Sequence, residues 1–106
     1  MASFSEVQFA KIDLAATGTL VAAQGAGVKV RVVGLFLVNT SAQTLAFNSG
    51  ASGTALTGAM ALPANGVLVL PPNNQGYFQT AANALLELAL SGTTQVSGSI
   101  AWVQVS

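Results

Sequence analysis

The feature that most constrains this chain is its punctuation. Short apolar stretches, most of them alternating with polar residues, are broken by glycine, proline, asparagine or serine at roughly 8–12-residue intervals, the pattern of a β-sandwich or barrel. No segment keeps a helical period beyond a turn or two. Strands are expected over 6–14, 19–23, 28–40, 44–48, 59–62, 67–70, 77–80, 84–91 and 94–105. The stretch TAANALLELAL at 80–90 is rich in helix formers. Its Leu86, Leu88 and Leu90 nonetheless fall on alternate positions before Ser91-Gly92-Thr93, which makes it a half-buried strand. In the first strand Val7 and Phe9 are out of phase with Ile12 and Leu14, which predicts a bulge near Ala10-Lys11. The stretch 48–58 (NSGASGTALTG) reads as a turn-rich connection, and Pro71-Pro72 ends the strand before it because proline cannot donate to a ladder.

The run VVGLFLV at 32–38 has no polar residue. A bilayer is excluded as its home, since a spanning helix needs roughly 20 apolar residues in succession. The first half of its strand alternates Val28, Val30 and Val32 with Lys29 and Arg31, so one face is wet. From Val33 onward both faces are apolar, which predicts cover on both sides, by a sandwich interior or by another subunit. The N-terminal MASFSEVQFAKIDL has polar residues interrupting each apolar stretch, unlike a signal peptide.

The expected architecture is one all-β domain over residues 1–106, an antiparallel β-sandwich of eight or nine short strands. A jelly roll suits that count and leaves few edges open. A Greek-key sandwich of immunoglobulin type is the alternative.

Charge is scarce. Charged residues are 6 % of the chain and cancel to a net charge of zero, a state in which proteins tend to associate. Three Lys and Arg residues give no footprint for nucleic acid or for an anionic membrane. Disorder demands the opposite balance of low hydrophobicity and high net charge. The surface must be built instead from 31 Ser, Thr, Asn and Gln residues.

Chemistry is scarcer still. With no histidine and no cysteine, the Ser-His-Asp and Cys-His constellations and the usual zinc sites have no ligands. The acids are Glu6, Asp13 and Glu87. Glu6 and Asp13 lie roughly 23 Å apart on an extended strand, so only Glu87 with one of them could form a glycosidase-type pair. No calcium loop and no phosphate loop is present. Asn39-Thr40-Ser41 matches a glycosylation sequon. No catalytic residue, metal or cofactor is expected, and a small-molecule ligand is not expected either.

The candidate functional residues are therefore those of contact. Lys29 and Arg31, two apart, share one strand face and could meet an acidic partner surface. Trp102 belongs with Ile100 in the core, with sugar stacking as the alternative, and Tyr77 at a loop–strand junction could serve either role. On the outer face of the last strand, Ser97 and Ser99 give way to Ala101, Val103 and Val105, as if that end were covered.

Several stretches together resemble small all-β phage virion proteins of the head-decoration or cement type. They are RVVGLFLV, LAFNSG at 45–50, ALTGAMAL followed by PANG, GYFQTA at 76–81, ALLELALS at 84–91, and QVSGSIAWVQV at the end. The resemblance implies a jelly-roll-like homotrimer, made in the bacterial cytoplasm and carried on the capsid exterior. There it would bind the major capsid protein and clamp neighbouring subunits. The interface candidates are then Lys29, Arg31, Tyr77, Ala101, Val103 and Val105. The alternative function is a carbohydrate- or receptor-binding module of a phage tail or fibre, with Trp102 or Tyr77 exposed beside residues 73–75.

Overall fold

In the computed structural model, which describes residues 6–106, the alternating stretches become ten strands and none of the described residues is helical. They are β1 (Gln8–Leu14), β2 (Gly18–Val21), β3 (Lys29–Asn39), β4 (Gln43–Ser49) and β5 (Thr54–Ala55), then β6 (Met60–Leu62), β7 (Val67–Leu70), β8 (Phe78–Gln79), β9 (Leu86–Leu90) and β10 (Val96–Val105). Eight or nine were expected. The addition is β5, whose two residues pair with Asn48 and Ser49 inside the stretch read as a turn. Two residues are too few to show a period of two.

The strands form two antiparallel five-stranded sheets. The first runs β1-β10-β3-β7, with β8 joining β3 beyond β7. The second runs β2-β9-β4-β5, with β6 joining β4. The pairing is nested: β1 takes β10, β2 takes β9, β3 takes β7 and β8, and β4 takes β5 and β6. One long hairpin wrapped onto itself gives that order, which is the jelly roll and not the immunoglobulin arrangement.

Between the sheets lies one core, with Val30, Val32, Leu37, Leu45, Phe47, Leu86, Leu88, Val96 and Ile100 all at 0 % exposure. The Phe47 and Phe78 rings meet across it at 4.8 Å between centroids. Gly98 is where the last strand's pattern needs no side chain. A Cβ there would lie 2.0 Å from the Phe36 carbonyl oxygen and 2.7 Å from the Leu37 Cα, so β10 and β3 could not keep their spacing.

Two features of the backbone differ from expectation. β1 pairs with β10 in unbroken register from Gln8↔Trp102 to Leu14↔Val96, with no bulge near Ala10-Lys11. Its apolar residues change phase because Phe9 faces outward while Ile12 faces the core. The irregularity sits instead between β3 and β10, where Ala101 opposes Gly34 but Trp102 opposes Val32. The extra residue, Val33, switches the inward set of β3 from Val30 and Val32 to Leu35 and Leu37. Bulges re-aim side chains in this way.

Asn39 closes one end of the core. Fully buried, its Nδ2 donates to the carbonyls of Ser41 at 2.7 Å, Leu62 at 3.2 Å and Pro63 at 3.1 Å. Its Oδ1 accepts from Gln43 Nε2 at 2.8 Å. The sequon asparagine is thus a structural plug with no room for a glycan.

Candidate functional site: an open apolar sheet face

Because one face of β3 feeds the core, its other face must go elsewhere, and none of the described residues covers it. Phe36 is 55 % exposed and Val38 41 %. Their register partners on β7 are Val69 and Val67, each 58 % exposed. On the far side of the sheet Phe9 is 75 % exposed. The expectation that residues 33–38 are covered on both sides by the sandwich is corrected here. The fold has only two layers, and the outer side of the first sheet is bare.

The registers lay this face out in rows. Phe9 stands beside Ala101, which stands beside Gly34. In the next row Lys11, Ser99, Phe36 and Val69 follow one another. Small residues at Gly34, Ser99 and Ala101 floor a shallow depression of about 240 Å³, rimmed by Phe9, Phe36, Val69, Pro71 and Pro72. A Cβ at Gly34 would come within 3.3 Å of the Leu70 carbonyl oxygen, so the floor lies close to the neighbouring backbone.

Five of the six contact residues read from the sequence fall on this same face. Val103 is the register partner of Arg31, and Val105 of Lys29. With Ala101 they continue the apolar strip toward the C-terminus, all three partly buried. Arg31 Nε donates to Gln79 Oε1 at 2.9 Å across the β3–β8 pair. Tyr77 lies at the β8 edge, 39 % exposed, its hydroxyl donating to the Pro71 carbonyl at 2.6 Å. With Arg31, Gln75 and Gln79 it lines a second, polar depression of about 260 Å³. Trp102 is 6 % exposed, so it is core and cannot stack on a sugar.

Sequence reasoning missed Phe9, Phe36, Val38, Val67 and Val69 as surface residues. The signal was available in combination. Residues 33–38 and 67–70 are apolar at both parities, and such strands, if neighbours in a two-layer fold, must leave one apolar face open.

The carboxylates do not converge. Glu87 is buried at 6 % exposure on the outer side of the second sheet, accepting from Asn48 Nδ2 at 3.0 Å and the Ser52 amide at 3.1 Å. It ties down the connection before β5. Asp13 lies on the outer side of the first sheet, opposite Ser97, so the sandwich separates the two. Among the described residues no three acids, histidines or cysteines group as metal ligands.

Fold and site together define an all-β jelly-roll domain whose distinguishing surface is an open apolar sheet. No family model, no curated protein and no solved structure matches the chain.

Proposed function

We propose that this chain is a structural virion protein of the capsid-decoration type, which seats the outer face of its first sheet on the outside of an assembled capsid. The observation that carries the reading is the bare strip of Phe9, Phe36, Val38, Val67 and Val69. Contiguous exposed apolar patches beyond a few hundred Å² mark interaction surfaces. The remaining surface suits burial too, because neutral Ser, Thr, Asn and Gln cost less to desolvate than charges. A protein that binds the assembled shell and not its free subunits stabilises the shell by mass action.

The test is to add purified protein to capsids that lack it and heat them. Co-sedimentation with a raised melting temperature is the expected result, and failure of both refutes the reading. One observation favours a second reading, the binding of glycans by a tail or fibre module: the exposed Tyr77 ring beside the Gln75 and Gln79 amides. Glycan binding abolished by Tyr77→Ala, without capsid binding, would establish that reading in place of the first.

A further inference from the structure

A jelly roll leaves edges, and the edges here are unequal. On the β7–β8 side of the first sheet the edge is broken into four and two residues by Pro71, Pro72 and the loop after them. In the second sheet β5 and β6 have two and three residues, and β2 pairs with β9 through a register shift. Among the described residues only β1 is a long, regular edge: seven residues, no proline, no bulge, and a described neighbour on one side alone. Such an edge presents a row of unpaired backbone N–H and C=O groups, ready to pair with another strand. The usual protection is charge, and β1 carries one cation and one anion, Lys11 and Asp13.

Those two charges are spaced so that a second copy of β1 can answer them. A two-fold axis normal to the sheet keeps outward residues outward, so with a side-chain period of two it must pass through a residue. An axis through Lys11 sets Lys11 against the partner's Lys11, and one through Asp13 sets two carboxylates together. An axis through Ala10 sets Lys11 against the partner's Phe9. The axis through Ile12 alone sets Lys11 opposite the partner's Asp13, and Asp13 opposite the partner's Lys11. On the inward side the same register opposes Ala10 to the partner's Leu14, small against large, with Ile12 meeting its own copy.

We infer that two copies of this chain pair edge to edge through β1, antiparallel about Ile12, joining two five-stranded sheets into one. In the single chain Lys11 Nζ and Asp13 Oδ2 lie 3.8 Å apart with side chains 84 % and 59 % exposed, and Asp13 Oδ1 accepts from Gln95 Nε2 at 2.6 Å. Both charged groups are therefore at the surface and within reach of a partner. The pairing does not depend on the virion reading. Where the family resemblance implies a three-fold assembly, the edge chemistry calls for a two-fold one.

Sedimentation equilibrium on the whole chain tests it. The wild type is expected to be a dimer. Lys11→Asp and Asp13→Lys each turn two attractive cross-strand pairs into two repulsive ones and weaken self-association roughly 30-fold. An equimolar mixture of the two variants restores dimers, now heterodimers, and the double swap Lys11→Asp with Asp13→Lys restores homodimers. Circular dichroism of each variant checks that the sandwich is intact. A monomeric or trimeric wild type overturns the proposal. So does a single variant that keeps wild-type affinity, or the absence of either restoration.

Discussion

Phe36→Ala tests whether an exposed side chain of the first sheet serves the fold or the proposed partner. Phe36 is 55 % exposed, between Ser99 on β10 and Val69 on β7. An aromatic side chain buries roughly 150–250 Å² when fully covered, so a partner that covers the rest of Phe36 hides roughly 100 Å². At about 25 cal/mol per Å² this is worth about 2.5 kcal/mol, near 60-fold in affinity. In the free chain the substitution forfeits only cross-strand contacts, within about 1 kcal/mol. Phe47 supplies the contrast, since it is fully buried and its truncation to Ala costs about 3–5 kcal/mol of stability. Urea unfolding and capsid co-sedimentation are measured on both variants. Phe36→Ala is expected to keep its unfolding midpoint and lose binding. A stability loss approaching that of Phe47→Ala, or unchanged capsid binding, refutes the reasoning.

Three further substitutions probe the fold. Gly98→Ala forces a methyl onto the Phe36 carbonyl and is expected to cost about 3 kcal/mol or more, read as a lowered urea midpoint. Asn39→Ala removes the side-chain donor to three carbonyls and one of the two acceptors of the Gln43 Nε2, with an expected loss of roughly 2–4 kcal/mol by the same assay. Glu87→Ala removes the acceptor of the Ser52 amide and of Asn48. It should cost roughly 1–3 kcal/mol and open residues 50–53 to limited proteolysis, followed by mass spectrometry.

Where one physical demand acted on a residue, its place was legible in the sequence. Leu86, Leu88 and Leu90 alternate because one side of β9 is core, and that outweighed a composition favouring helix. Val96, Ile100 and Trp102 with Gly98 between them gave the inward face of β10 directly. Legibility failed where two demands share one chemistry. An exposed apolar residue looks in the sequence like one of the core, so Val7 and Phe9 fall out of phase with Ile12 as they would at a bulge. The true bulge at Val33 was hidden because it lies within an unbroken apolar run, where a change of phase leaves no polar trace. The outward face of β10 was legible because Ser97 and Ser99 give a polar reference, and that of β3 up to Arg31 because Lys29 and Arg31 do, whereas beyond Arg31 and on β7 no polar residue marks it.

The two outer faces of the sandwich differ in a way that bears on orientation. On the second sheet the outward residues include Thr19, Thr44, Ala46, Asn48, Ala61 and Ala89, small or polar, with Glu87 tied down beneath the connection before β5. On the first sheet they include Phe9, Phe36, Val38, Val67 and Val69. Fold stability demands no such difference, because both sheets bury their inner faces in the same core. Keeping large apolar side chains in water on one side only, without large charged blocks to guard them, raises the risk of aggregation. Edge pairing through β1 keeps both outer faces on one side, so a dimer would set two apolar strips side by side in one plane. A broad, flat surface that engages through two linked patches gains avidity over either patch alone. If both proposals hold, the edge and the face would work toward one end, the edge doubling what the face could cover.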